Sequence, residues 1–359
     1  MNLLLLPGDG IGPEIADAVE SVLEALERVN PIGLTVERGL IGLEALRTDG
    51  ITVSEATFGR ATGADGVILG PVSTADYPPA AQGGLNPSAE FRRRLDLYAN
   101  IRPSRTRPGV PSLAPSMDLV IVRENTEGFY ADRTMHMGPG EFMPTPDLAI
   151  AMRKITRQGS ERIGRAAAAL AAGRRGKLAI VTKSNVLKVT DGLFRTAVQA
   201  AARDQAGLEI EEVLVDAMAS LLVREPDRFD VIVTSNMFGD ILSNLAAELA
   251  GGLGVAGSLN AGDACAIAQA SHGSAPTLAG CNVANPAALV LSTAMLIGWL
   301  GRRDGDEAAV DAAVRLEGAV DAALGVAAGR TSDLGGSATT RDASAAIAAA
   351  LAAGSGRPA

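Results

Sequence analysis

Aromatic residues make up only 3% of this 359-residue chain, so its interior must be filled by smaller apolar side chains. Ala, Val, Leu and Ile dominate the apolar 47%, a globular composition rather than a disordered one. Cysteine is scarce. Cys265 and Cys281 have no C-x-x-C spacing, which points to reduced, structural thiols in a cytoplasmic protein. A bilayer-spanning run is also lacking: the most apolar stretch, "AALVLSTAMLIGWL" at 287–300, is too short and carries Ser292 and Thr293. It reads as a buried helix, with a subunit interface as one place for it. The start shows no charged n-region and only four leucines before a proline, so neither secretion nor targeting is signalled. A basic surplus is missing as well. The net charge of -9 argues against a general nucleic-acid binder, while a local basic pocket remains open.

The length suggests two domains. Strand-like runs ("NLLLL", "GLTVERG", "DGVILG", "DLVIVR", "KLAIVT", "LEIEEVLV", "DVIVTSN") alternate with helical tracts such as "EIADAVESVLEALERV" and "SERIGRAAAALAA". That alternation defines an α/β class. No internal repeat or long linker interrupts it. The Pro-rich "NIRPSRTRPGVPSLAPS" at 100–116 and the Gly-rich "AGGLGVAGSLNAG" at 250–262 are the candidate boundaries.

The opening "LLLLPGDGIGPEI" has the apolar run, glycine turn and helical continuation of a phosphate-cradling βα unit. Its glycines, Gly8, Gly10 and Gly12, lack the G-x-G-x-x-G interval, Pro7 intrudes, and Glu37 is a loose match to a ribose-binding acid. A dinucleotide must therefore be sought elsewhere.

Four later segments carry chemistry. "NPSAEFRRRLDLYANIRPSR" and "VIVRENTEGFYADR" place Arg92, Arg102 and Arg123 on separate elements, where converging guanidinium groups could hold a polycarboxylate. For Arg93 and Arg94, surface salt bridges are the better reading. In "VTKSNVLKVTDGLF", Lys183 sits at the mouth of an apolar strand; a lysine beside other cations is pushed toward its neutral form and suits a base, although a solvated lysine is the plainer reading. Tyr130 is similarly ambiguous alone. In "VDAM" and "TSNMFGDILSNLAAEL", Asp216 ends a strand, while Asp240 and Asn244 share a helix face. Such oxygen ligands suit Mg²⁺ or Mn²⁺; helix capping by Asp216 and a first-turn role for Asp240 are the alternatives. In "SHGSAPTLAGCNVANP" at 271–286, backbone amides could hold a diphosphate, with His272 near an adenine or ribose.

Together these segments resemble the β-decarboxylating dehydrogenases, the family of isocitrate, isopropylmalate, homoisocitrate and tartrate dehydrogenases. The resemblance runs from "LLPGDGIGPEI" to "RTSDLGGSAT" and rests on "LDLYANIRP", "RENTEGFY", "NMFGDILS" and "HGSAP" recurring in register. It implies an isocitrate/isopropylmalate dehydrogenase-like α/β fold, not a standard Rossmann fold, with two α/β domains flanking a cleft. Residues 1–98 plus 250–359 would form the large cofactor-binding domain, and 99–249 the small central domain for substrate, metal and dimerisation. It further implies a homodimer with shared active sites and no nucleic-acid or membrane partner. Arg92, Arg102 and Arg123 match the arginines that grip malate carboxylates, and Tyr130 the catalytic tyrosine. Lys183 and Asp216 match the lysine and aspartate supplied by the partner subunit, and Asp240 the home subunit's metal aspartate. Ile11, in the turn beside the nicotinamide, and His272, Gly273, Ser274, Ala275, Pro276, Thr277 and Asn285 match cofactor-binding positions.

The chain departs from the family pattern at four places. Asn244 replaces a second metal aspartate, and Gln269 replaces the usual glutamate three residues before His272. Thr277 is neither the acid common in NAD users nor the lysine of bacterial NADP users; lacking the charge to clamp a 2′-phosphate, it favours NAD, as "TSDLGGS" does. Asn86 and Ser88 replace the leucines of isopropylmalate enzymes, and an isopropyl group would leave both unpaired. The expectation is NAD- and metal-dependent oxidation and decarboxylation of a 3-substituted malate, isocitrate or homoisocitrate first. The alternatives are 3-isopropylmalate, tartrate or D-malate and, in another class, a non-catalytic regulatory subunit.

Overall fold

The computed structural model describes residues 1–130, 135 and 140–354. The four leucines of β1 (Asn2–Leu6) alternate between two cores, Leu3 and Leu5 facing one and Leu4 and Leu6 the other. A strand covered on both faces needs such a continuous apolar run. With β2 (Thr35–Arg38), β3 (Gly66–Leu69) and β12 (Ala266–Gln269) it forms a parallel block in the order β2-β1-β3-β12. A second parallel block has the order β5 (Asp118–Glu124), β10 (Val231–Thr234), β8 (Lys177–Thr182), β9 (Glu209–Leu214). Between them, β11 (Leu259–Ala261) and β4 (Ala99–Arg105) run antiparallel to each other and to their outer neighbours. Those successive reversals leave the two blocks pointing in opposite directions. A separate hairpin joins β6 (Glu141–Thr145) to β7 (Leu148–Ala151).

Helices α1 (Gly12–Val29), α9 (Ala287–Asp304), α10 (Glu307–Gly325) and α11 (Thr340–Ala352) pack on one face of the first block. On its other face lie α3 (Glu55–Gly63) and α4 (Pro87–Arg94), with α2 (Gly42–Asp49) between β2 and α3 in the chain. The second block is covered by α5 (Arg157–Ala172) and α6 (Thr190–Arg203) on one face, and by α7 (Val215–Arg224) and α8 (Asn236–Ala250) on the other. Ile101 of β4 packs against both the α1/α9 and the α5/α6 cores, so those helices share one side of the sheet. Strand alternation then turns Asn100 and Arg102 toward the side of α4 and α8.

The seven strand-like runs read from sequence are β1, β2, β3, β5, β8, β9 and β10. The two candidate boundary segments both contribute strands to the sheet. The Pro-rich segment contains most of β4 and the Gly-rich one contains β11, which pair in the middle of it. Pro103 is tolerated in a central strand because β11 pairs only with Ala99, Asn100 and Ile101. The apolar stretch at 287–300 lies within α9 and is buried inside its own chain against α10 and β12, so a subunit interface is not needed to cover it. Among the described residues, no helix is long and apolar enough to cross a membrane. Cys265 and Cys281 are free thiols.

Candidate active site

Three amides of the glycine turn after β1 are taken up by the protein itself. The amides of Asp9, Ile11 and Gly12 donate to the carbonyls of Pro71, Ser274 and Asp9. Gly10 (φ +60°) lies so close to the 274 carbonyl that a Cβ would stand 2.0 Å from it. Ser73 Oγ also bonds Ser274 Oγ at 2.7 Å. Asp9 ties three loops together, accepting from the amides of Leu43 (2.7 Å) and Ser73 (2.8 Å) and from the Tyr77 hydroxyl, whose acidity burial and that carboxylate suppress. This turn is therefore braced against the 274 loop.

The loop it braces offers a run of four consecutive amides. Among the described residues, the amides of His272, Gly273, Ser274 and Ala275 donate to no protein group. Ile11, His272, Gly273, Ala275, Asn285 and Asp333 help to line a hollow of about 270 Å³. Burial pushes the His272 imidazole down toward its neutral form, and its buried Nε2 has no hydrogen-bond partner. Asn285 is engaged with the protein, donating to Asp333 (3.0 Å) and accepting from the Ala287 amide (3.0 Å). Pro276 and Thr277 are exposed, and the Ser274 side chain is buried in the brace. The acid on the hollow is Asp333.

On the α4/α8 side of the sheet, Arg123, next to last in β5, stands opposite Asn100 of β4. Its Nη1 reaches Asp240 Oδ1 at 2.5 Å, while Nε and Nη2 hold Asn236 Oδ1 at 3.0 and 2.6 Å. Gly239 makes room, since a Cβ there would lie 2.6 Å from the Arg123 side chain. Arg102 donates to Asn100 (2.6 Å), Ser243 (2.8 Å) and the same Asp240 oxygen (3.3 Å). Asn100 is in turn fixed by Ser258 and Asn260. Burial, then the neighbouring Arg123, pushes the Arg102 guanidinium down to about 10 against the pull of Asp240. Two buried guanidinium groups converge on one carboxylate oxygen, an arrangement of donors suited to holding carboxylates. The Tyr130 ring centre stands 6.0 Å from the Arg123 guanidinium.

Lys183 follows β8 and pairs with Asp216 at 2.6 Å, a contact that holds the Asp216 carboxyl below the usual carboxylate range. Its amide donates to Asp191 (2.5 Å), which forms a buried ion pair with Arg153. β9 stops at Leu214, so Asp216 stands in the first turn of α7 rather than ending the strand. Asp240 lies beyond the first turn of α8 and acts through ion pairs, not as a first-turn acid.

Asn86 caps α4, accepting from the Ala89 amide. Ser88 and Arg92 share a helix face four residues apart, and Ser88 Oγ lies 2.7 Å from Gln269 Nε2. Arg93 and Arg94 are indeed surface ion pairs, with Glu90 and Glu55. Sequence reasoning missed Asn100, Asn236 and the Arg153–Asp191 pair, which support the site residues Arg102, Arg123 and Lys183. The only local signal was Asn100 two residues before Arg102, hence on the same strand face.

Asn244, one turn beyond Asp240, has a buried Oδ1 with no hydrogen-bond partner, the kind of orphaned oxygen a cation satisfies. Among the described residues, no group of three His, Cys, Asp or Glu side chains is gathered to hold a metal within one chain.

A family model described as isocitrate/isopropylmalate dehydrogenase matches residues 2–348. The isocitrate/homoisocitrate dehydrogenase of Thermus thermophilus is 44% identical over 343 residues, covering 94% of this chain and 95% of that protein. The 3-isopropylmalate dehydrogenase of Methanothermobacter thermautotrophicus is 39% identical, with 84% and 86% covered. The crystal structure of isocitrate dehydrogenase from Methylococcus capsulatus superposes with a TM-score of 0.85 at 35% identity, over 98% of this chain and 99% of that one. Fold and site together define a dehydrogenase of the class that oxidatively decarboxylates a hydroxy acid. The chain belongs to the isocitrate/isopropylmalate dehydrogenase family, and its mixed-sheet α/β fold is the isocitrate dehydrogenase-like one.

Proposed function

We propose that this protein is an NAD-dependent, divalent-metal-dependent enzyme that oxidises and decarboxylates a 3-substituted malate, with isocitrate or homoisocitrate as substrate. The observation that carries this reading is the convergence of the buried Arg102 and Arg123 guanidinium groups on one Asp240 oxygen, where donors for substrate carboxylates are gathered. Arg92 supplies a third guanidinium from α4, with Asn86 and Ser88 near the substituent. NAD is favoured over NADP because Asp333 borders the hollow beside His272 and would repel a 2′-phosphate, while Thr277 offers no cation to hold one.

Asp240, Asn244 and a partner's copy of Asp216 would hold the metal. When bound, the cation supplies Lewis-acid withdrawal of electron density from substrate oxygens and the nicotinamide supplies the hydride acceptor. Lys183 takes the proton of the C2 hydroxyl, the arginines hold the carboxylates in register, and Tyr130 returns a proton to carbon after CO₂ departs. Because Asn244 contributes no charge, Asn244→Asp should tighten Mn²⁺ binding about tenfold or more in a calorimetric titration. An unchanged Kd would remove Asn244 from the site.

A second copy is supported by the apolar side chains left in the open. Phe142, Met143, Leu148 and Ile150 are exposed on the β6–β7 hairpin, which is too small to stand alone. Ile241 on α8 and Val186 and Val189 beside Lys183 are exposed as well. We infer a homodimer with residues 1–98 plus 250–359 as the large domain, 99–249 as the small one, and Lys183 and Asp216 crossing to the partner's site. The free thiols fit a cytoplasmic setting.

The test is reduced-nicotinamide formation by metal-stripped protein on isocitrate, homoisocitrate, 3-isopropylmalate, tartrate and D-malate, with NAD or NADP and with or without Mn²⁺. Turnover of a carboxylated substrate with NAD, only when metal is restored, is the expected result. Silence across the panel from folded, dimeric protein would favour a regulatory subunit.

A further inference from the structure

We infer that Gln269 sets the substrate's third substituent as an anion, by making the Ser88 pocket a hydrogen-bond donor. This rests on the proposed reading of the site as one for substituted malates. Gln269 ends β12 on the face of the sheet that carries Ile267 and Leu69, toward α4, where its Nε2 meets Ser88 Oγ at 2.7 Å. Among the described residues, neither side chain has another hydrogen-bond partner. An amide and a hydroxyl together carry three donor hydrogens; their mutual bond uses one, and two remain whichever way the amide is turned. A glutamate in its place would carry none, and would capture the lone hydroxyl hydrogen of Ser88. The pair is neutral, and the nearest formal charge on the same face of α4 is the Arg92 cation. An anionic, acceptor-rich substituent such as a carboxylate is therefore matched, while an alkyl group leaves both donors unsatisfied. Gln269 acts in part through Ser88, so it is a positioning and specificity-determining residue.

Gln269→Glu and Gln269→Met separate this role from a merely structural one. Glutamate keeps the contact with Ser88, by accepting, but abolishes the donors and adds charge. Methionine breaks the contact without adding charge. The donor role predicts that glutamate is the worse replacement, raising KM for isocitrate roughly tenfold to a hundredfold, with the effect on KM rather than kcat. Selectivity for isocitrate over 3-isopropylmalate should fall with it. Methionine equal to or worse than glutamate would overturn the inference. Calorimetric binding of isocitrate and D-malate to the Mn²⁺-loaded protein reads the same contact without turnover. Wild-type protein that binds isocitrate but does not oxidise it refutes the proposed activity, and the order of the two variants is then read in Kd. Wild-type protein that binds isocitrate no more tightly than D-malate overturns the inference itself.

Discussion

Lys183→Ala is expected to lower kcat by about a hundred- to ten-thousand-fold, the share a positioned general base supplies, with the fold unchanged. The fold survives because Lys183 lies only at the mouth of β8 and its loss leaves Asp216, a largely exposed carboxylate, in water. Tyr130→Phe fails at a different point: reduced nicotinamide forms once per site in a rapid burst, then turnover stalls, because the acid that returns a proton to carbon is missing. If Lys183 crosses to the partner, the two inactive variants complement each other. Mixed dimers then hold one site with both residues intact, and random reassortment restores about a quarter of wild-type activity. Stopped-flow and steady-state assays of each variant and of the refolded mixture check all three outcomes. Near-normal turnover by Lys183→Ala would remove it from proton transfer, and no recovery on mixing would place each site within one chain.

Asp191→Ala destabilises the protein by about 3–5 kcal/mol, the cost of stranding a buried charge. Its carboxylate and the Arg153 guanidinium are both almost fully buried, and Arg153 stands 5.5 Å from the Phe238 ring with Ser235 and Thr190 as its other partners. The same carboxylate accepts from the Lys183 amide, so activity falls beyond what unfolding explains. Replacing both partners by apolar residues, Arg153→Met with Asp191→Leu, should recover most of the stability, since matched hydrophobic pairs often equal buried ion pairs. It should not recover activity, because Lys183 has lost its tether. Denaturant melts of the single and double variants, with kcat measured below the transition, decide this; equal stability of wild type and Asp191→Ala would refute it.

Much of the fold was legible in local patterns. The leucines of β1 and the continuous apolar run in "DLVIVR" announce strands buried on both faces because neighbouring residues on a strand must point to opposite sides. The helix in 287–300 was equally plain, and so were Arg93 and Arg94 as surface ion pairs. In contrast, β4, β11 and β12 were hidden, because their strand character comes from partners rather than from their own residues. Pro103 and the glycines around 250–262 argue locally for a break, yet pairing across the middle of the sheet overrides them.

The site divides in the same way. Composition and motif order alone determined the α/β class, the family resemblance and the residues worth watching: Arg92, Arg102, Arg123, Tyr130, Lys183, Asp216, Asp240 and the 272–277 loop. Only the tertiary structure decided that the glycine turn is tied to the 71 and 274 carbonyls, that Arg102 and Arg123 share one oxygen of Asp240, and that Gln269 meets Ser88. These contacts join residues far apart in the chain, where no spacing rule operates. A hydrogen bond of that kind exists only once the sheet has brought its two ends within about 3 Å of each other, and nothing local to either end records the meeting.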